Sequence, residues 1–122
     1  MARVIHFEIP SDKPDRAAKF YGDVFGWTFQ KWEGPMEYWL VSTGDEKERG
    51  IDGGLLRRAP HISGVVNTVD VADVDDYLER VGKNGGKIVV PKMALPGVGW
   101  LAYASDPDGN TFGLMQGDPQ AR

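Results

Sequence analysis

The fold is decided by residues 3–27, RVIHFEIPSDKPDRAAKFYGDVFGW, where a strand pattern passes directly into a helix pattern. Residues 3–9 are rich in β-prone apolar side chains, which predicts a strand. Asp12 and Pro14 then fit the cap and the first turn of a helix over about residues 13–25. The apolar side chains of this helix recur on one face, so we expect them to pack on a sheet; they are Ala17, Phe20, Tyr21 and Val24.

Outward from this stretch, the rest of the first half reads as three strands. Gly26 suits the left-handed residue that ends the helix. Residues 27–32 and 36–42 predict a hairpin, and residues 51–57 predict a fourth strand. The first half is therefore predicted to be a βαβββ module over residues 3–57.

The second half repeats this order over residues 62–117. A strand is predicted at 62–71, a helix that begins after Asp73 at 74–83, and further strands at 87–91, 100–104 and 111–116, with a flexible loop at 96–99. The last strands align glycine on glycine, Gly54 with Gly113. We therefore expect an α+β fold of two βαβββ modules, whose similar sheets lie side by side. Both modules should belong to one domain, residues 1–122, and the groove between them is the natural ligand site.

Composition excludes several classes of function. The chain has 122 residues and a net charge of −4, and the Arg57-Arg58 pair is too short for a nucleic-acid footprint. It contains no cysteine, which excludes disulfides, thiolate metal sites and cysteine nucleophiles. No apolar run approaches the roughly 20 residues of a membrane span, and no signal peptide is visible. A cytoplasmic protein without nucleic-acid or membrane partners is expected.

Several motifs follow one another along nearly the whole chain: His6-Phe7-Glu8-Ile9-Pro10, Asp15-Arg16-Ala17, Phe20-Tyr21, Val24-Phe25-Gly26-Trp27, Gly85-Gly86 and Asp106-Pro107-Asp108-Gly109-Asn110. Together they resemble the vicinal oxygen chelate superfamily, which holds glyoxalase I, bleomycin resistance proteins and extradiol dioxygenases. The resemblance implies that the two βαβββ modules form a curled mixed sheet around one central cavity. It also implies a homodimer, as many two-module members form.

Metal-dependent members of that superfamily take one ligand from the first strand and one from the last strand of each module. The resemblance places His6, Gly54, Asn67 and Gly113 at these positions, with Asn67 as the counterpart of His6. Because a catalytic metal needs about three protein ligands, no metal cofactor is expected. The alternative is a rearranged site for zinc, nickel, manganese or iron, built from His6 and Glu8, with Asp52, Asn67 or a partner subunit supplying the remaining ligands.

His6 and Glu8 are the candidate catalytic residues. Side chains alternate along a strand, so both should lie on the cavity face. A histidine titrates near neutrality and can act as acid or base, whereas an unpaired buried carboxylate is costly and should face a cavity. The structural alternatives are a histidine held by one hydrogen bond in a polar pocket, and a glutamate paired with Arg3, Lys31 or Arg57.

Further candidates for ligand binding are Asn67, Asp52, Trp39 and Trp100. The two tryptophans lie in corresponding strands, where a flat ring buries a large area, although core packing is the usual role of such residues. Gly53, Gly54 and Gly113 lie inside strand patterns. Glycine at such positions indicates either a close approach of backbone or ligand, or a bulge that helps the sheet curl.

The predicted function is that of a glyoxalase/bleomycin-resistance-like protein that binds a small organic molecule, with an incomplete metal site. Because Glu8 repels a bare carboxylate, a neutral or cationic head group is favoured. The alternative is a metal-dependent enzyme, namely a glyoxalase-like lyase, an isomerase or a dioxygenase. A third reading is a dimerising module without a small ligand.

Overall fold

A computed structural model describes residues 2–62 and 64–122. Its elements are β1 (Arg3–Ser11), α1 (Pro14–Phe25), β2 (Thr28–Lys31), β3 (Trp39–Ser42), β4 (Gly53–Arg57), β5 (Val66–Asp70), α2 (Val74–Lys83), β6 (Lys87–Leu95), β7 (Gly99–Ser105) and β8 (Thr111–Gly117). Each half of the chain therefore has a strand, a helix and three more strands. The predicted α+β fold of two βαβββ modules is confirmed.

Contacts within the chain divide it into two compact units. One unit is His6–Val65, and the other is Val66–Arg122 together with the first five residues. The boundary near residue 65 lies close to the predicted junction of the modules. The single domain over residues 1–122 and a cavity between the modules stay predictions.

Module one is a four-stranded sheet in the order β2-β3-β4-β1, where β1 and β4 are parallel and the other pairs are antiparallel. Its register sets Glu8 beside Gly54, and Gly54 beside Leu40. The neighbouring row sets Phe7 beside Gly53. Because side chains alternate along a strand, these two rows lie on opposite faces of the sheet.

Helix α1 covers the face of Phe7. The Phe7 ring lies 5.7 Å from Trp27, which stacks on Tyr21 of the helix at 5.2 Å. The predicted packing of the whole apolar stripe is wrong, because Phe20 and Val24 are 57% and 54% exposed. Of the predicted stripe, Tyr21 is the residue that stacks on Trp27, which in turn contacts Phe7.

The predicted cap of α1 is also wrong. The residue before the helix is Lys13, which makes no side-chain cap hydrogen bond. Asp12 instead pairs with Arg58, whose Nη1 lies 2.8 Å from the carboxylate. Pro14 does begin the helix and Gly26 ends it in the left-handed conformation, as predicted.

Module two has the strand order β5-β8-β7-β6, and β5 and β8 are parallel. Helix α2 has the predicted bounds and the predicted cap, since the Asp73 carboxylate accepts a hydrogen bond from the backbone N–H of Asp76 at 3.2 Å. Its apolar side chains pack into a buried cluster of Val71, Val74, Leu78, Ala102 and Leu114.

The hairpin β6–β7 differs from its prediction. The strand predicted to end at Pro91 continues to Leu95, and the predicted loop shrinks to a turn closed by a hydrogen bond from the Val98 N–H to the Leu95 carbonyl at 2.8 Å. The register shifts between Ile88 and Met93, on either side of Val90. Such an irregularity accommodates a proline that cannot donate to the ladder.

Neither α1 nor α2, the helices found in the described parts of the chain, has the length and apolar composition needed to cross a membrane. The expected cytoplasmic location stays a prediction.

Candidate functional site

A cleft of about 490 Å³ lies on module one. This volume falls in the range of small-molecule sites. Its lining residues come from β1, β2, β3 and the residues around the start of β4: His6, Thr28, Phe29, Gln30, Leu40, Val41, Ser42, Asp52 and Gly53. Polar and apolar groups are therefore mixed along its walls.

The register of the sheet explains why these residues meet. Thr28 lies beside Ser42, and two residues along the same strands Gln30 lies beside Leu40. Leu40 in turn lies beside Gly54, which lies beside Glu8. These side chains lie on the face opposite Phe7, the face that α1 leaves uncovered.

His6 makes one close polar contact in this cleft. Its Nε2 lies 2.7 Å from the phenol oxygen of Tyr38, and the two rings are nearly parallel at 14°. Burial lowers the pKa of His6 below its ordinary value of 6.5, while the carboxylates of Glu8 and Asp52 act in the opposite direction. The imidazole is therefore neutral at neutral pH and can donate from one nitrogen and accept at the other.

The two carboxylates near His6 differ in their surroundings. Asp52 is exposed and held by Thr43, whose backbone N–H donates to it at 2.9 Å. Glu8 is only 4% exposed and lies outside the cleft lining. The sequence prediction that Glu8 and His6 are neighbours agrees with the action of Glu8 on the His6 pKa.

Tyr38 was missed by the sequence prediction. It is 7% exposed and directly precedes β3, and it lies over Gly54. A Cβ built on Gly54 would collide with the phenol oxygen of Tyr38. Gly54 therefore allows the Tyr38 side chain to approach the backbone closely. The register of β1, β3 and β4 is continuous around Gly54 and contains no bulge. A strand glycine was the only available signal of this approach.

The counterpart of His6 in module two is Val66, which corrects the prediction of Asn67. Thr68 lies beside Gly113 as Glu8 lies beside Gly54, so Glu8 corresponds to Thr68. Two residues earlier, His6 corresponds to Val66. Asn67 is exposed and lies beside Phe112, on the face that packs against α2. Asn67 is not among the residues that line the cleft of module one.

The superfamily's metal positions do not fit a metal in this chain. They hold His6, Gly54, Val66 and Gly113, which supply one ligand side chain. The space above Gly54 is filled by Tyr38, and a Cβ on Gly113 would lie 3.0 Å from the Thr68 hydroxyl. Among residues 2–62 and 64–122, no three His, Asp or Glu side chains are grouped to hold a metal ion, including the rearranged set of His6, Glu8 and Asp52.

The two predicted tryptophans lie outside the cleft. Trp39 lies beside Leu55, in the row next to that of Leu40, and the Lys31 ammonium lies 5.3 Å from its ring. Trp100 packs against the buried cluster of module two, with Lys92 at 4.7 Å and its Nε1 donating to Asp118 at 3.0 Å. On the face of His6, the apolar side chain of the lining is that of Leu40. Phe29 and Val41 also border the cleft, but they lie in the row of Gly53 and Phe7, on the opposite face.

The sequence is similar to a known family and to several known proteins. A family described as bleomycin resistance protein-like N-terminal matches residues 3–44. The chain is 35% identical over 115 residues to a glyoxylase-like domain-containing protein of Didymella fabae, and the match covers 88% of each chain. It is 30% identical over 115 residues to CFP32 of Mycobacterium bovis, a protein named as a glyoxylase; that match covers 93% of this chain, which spans 43% of the length of CFP32.

A solved structure shows the same fold. The crystal structure of methylmalonyl-CoA epimerase from Mycobacterium tuberculosis matches with a TM-score of 0.67 over 95% of this chain and 88% of the epimerase. The two sequences are 14% identical. At that identity the likeness is one of architecture alone.

Proposed function

We propose that this chain, which belongs to the glyoxylase-like group of the vicinal oxygen chelate superfamily, binds a small organic molecule in the cleft of module one. The observation that carries the proposal is the cleft of about 490 Å³, which has His6 on its wall. Small-molecule sites are usually concave and combine apolar side chains with a few polar groups, and this cleft has both kinds of lining residue.

The lining of the cleft indicates the kind of ligand. On the face of His6, Leu40 offers an apolar side chain, while Thr28, Gln30 and Ser42 offer uncharged hydrogen-bonding groups. Asp52 adds a negative charge to the lining, and Glu8 adds another close to His6. A molecule with an apolar body and a neutral or cationic head therefore fits better than an anion.

Binding without a resident metal is part of the same proposal. Its support is the ligand set, in which Gly54, Val66 and Gly113 occupy three of the four expected positions. Elemental analysis of the purified protein is expected to find no stoichiometric zinc, nickel, manganese or iron. About one ion per chain that is lost in His6→Ala would favour the metal-dependent lyase, isomerase or dioxygenase instead.

The binding proposal is tested by NMR titration of the protein with a library of small apolar compounds. We expect hits to shift the backbone amides of Thr28, Gln30 and Leu40, and we expect the affinity to fall several-fold in His6→Gln. Glu8→Gln should also change the affinity, because it removes a charge close to His6. Lys83→Gln, on the exposed end of α2, is the matched control for a polar substitution outside the cleft.

Two results would count against this proposal. The first is a set of compounds that bind with shifts confined to other parts of the chain. The second is a Glu8→Gln variant that loses thermal stability yet keeps its ligand affinity, since Glu8 would then be only a structural partner.

A further inference from the structure

We propose that Asn84, at the carboxyl end of α2, is a site of spontaneous covalent modification, where the side-chain amide is lost and an isoaspartate forms. The reaction needs no enzyme, and its co-reactant is water. Asn84 is not among the residues that line the cleft of module one, so the modification is independent of the proposed binding function.

The reaction begins when a backbone nitrogen attacks the side chain of the asparagine before it. A bond forms between the Gly85 nitrogen and Cγ of Asn84, the bond from Cγ to Nδ2 breaks, and ammonia leaves with the proton of the Gly85 nitrogen. Water then opens the cyclic imide at one carbonyl to give aspartate, or at the other to give isoaspartate. Glycine hinders this attack least, because it has no side chain and accepts the widest range of backbone angles.

The sequence singles out one asparagine for this chemistry. The chain has three asparagines, and Asn84 is the one that is followed by glycine. Asn67 lies in β5 and Asn110 directly precedes β8, and each is followed by a threonine, whose branched side chain hinders the attack. The side-chain nitrogen of Asn110 also donates to Asp106 at 2.9 Å. Asn67 and Asn110 therefore serve as internal controls.

The end of α2 leaves the reacting groups accessible. Asn84 and Gly85 are both exposed. The Gly85 N–H donates to the carbonyl of Gly82 at 3.4 Å, which is longer than a usual N–H···O hydrogen bond. The attacking nitrogen is therefore held only weakly by the helix.

Two features of the folded state slow the reaction. The Asn84 side chain donates from Nδ2 to the carbonyl of Arg80 at 2.8 Å. Ring closure also needs the Gly85 nitrogen on the same side of the Asn84 Cα–C bond as Cβ, whereas the ψ angle of 20° places it on the other side. The reaction therefore proceeds when the helix end frays, which costs little free energy. Because fraying gives up about one net hydrogen bond, we expect the folded chain to react about twofold to tenfold slower than an unstructured peptide.

The product weakens the end of the helix. A carboxylate at position 84 cannot donate to the Arg80 carbonyl, and its negative charge lies at the end of α2 that the helix dipole makes unfavourable for anions. We expect Asn84→Asp, which introduces this charge, to lower the ratio of folded to unfolded protein about twofold to fivefold.

The site is tested by incubating the full wild-type chain in mildly alkaline ¹⁸O-labelled water, beside a peptide of residues 80–88. Mass spectrometry of the digested protein is expected to find the labelled oxygen at Asn84, partly as isoaspartate, and far less of it at Asn67 and Asn110. A full chain without label at Asn84 after the peptide has reacted completely overturns the proposal. Equal labelling of the three asparagines also overturns it.

The effect on the helix is tested by chemical denaturation of Asn84→Asp. Asn67→Asp is the matched control, because it makes the same substitution at an exposed position on a strand. We expect the larger loss of stability in Asn84→Asp. Equal losses in the two variants overturn the effect assigned to the end of α2.

Discussion

At the scale of single residues, the most informative position is Gly54, where the absence of a side chain admits Tyr38. We expect Gly54→Ala to destabilise the protein by about 1–3 kcal/mol, since the added Cβ meets the phenol oxygen in a packed region. Chemical denaturation measures this change. The control is Gly82→Ala, because Gly82 lies inside α2 with open space around it and should gain up to about 1 kcal/mol. Equal effects of the two substitutions would contradict the close approach.

The pKa of His6 makes stability depend on pH in a defined direction. Because burial lowers the pKa below 6.5, the unfolded chain takes up a proton at a pH where the folded chain does not. This contribution is fully present above the unfolded value and is lost as the pH falls through 6.5 towards the lower pKa of the folded state. We expect the wild type to lose stability relative to His6→Gln between about pH 7.5 and about pH 5.5. A difference that stays constant, or grows in favour of the wild type, would show that the His6 pKa is not lowered.

The sequence suggested His6 and Asp52 for one rearranged site, and both residues line the cleft. Their role in ligand binding stays a prediction. The sequence could not predict Tyr38, because the contact joins residues 32 positions apart and depends on how the segment before β3 folds back. Asn67 was misplaced by one residue. A one-residue error in a strand moves a side chain to the opposite face, and the register of β5 with β8 is a tertiary property that the sequence alone does not reveal.

At the scale of elements, the two helices begin in different ways. Asp73 caps α2 through the Asp76 N–H, whereas Asp12 pairs with Arg58 on the exposed surface near α1. We expect Asp73→Ala to cost about 1 kcal/mol and Asp12→Ala to cost clearly less. Thermal unfolding of the two variants side by side tests this ranking. A greater loss in Asp12→Ala would mean that the predicted cap of α1 does form in solution.

The bounds of α2 followed from its sequence because the cap, the apolar spacing and Gly85, just beyond the last turn, are all local in the chain. The length of β6 did not follow, because a proline usually ends a strand and only the pairing with β7 shows the register shift that tolerates it. Likewise, the spacing of Phe20 and Val24 predicts an apolar face but not how much of that face the sheet covers.

At the scale of the whole molecule, we propose that the chain forms a homodimer. The proposal rests on the superfamily resemblance and on the outer strands: β2 and β6 end the strand orders of their modules and leave edges that favour pairing unless they are covered. Light scattering at working concentrations is expected to give twice the mass of one chain. A mass of one chain over that range would oppose the proposal.

The tryptophans give this protein an internal optical label. Three of the four, Trp27, Trp32 and Trp39, belong to the first compact unit, whereas Trp100 belongs to the second and sits beside Lys92 and Asp118. A variant that keeps only Trp100 therefore emits from the second unit alone, while circular dichroism reports on both. If the single domain is correct, the two signals change at the same denaturant concentration. An emission change that comes earlier or later would mean that the halves of this repeated fold melt as separate cooperative bodies.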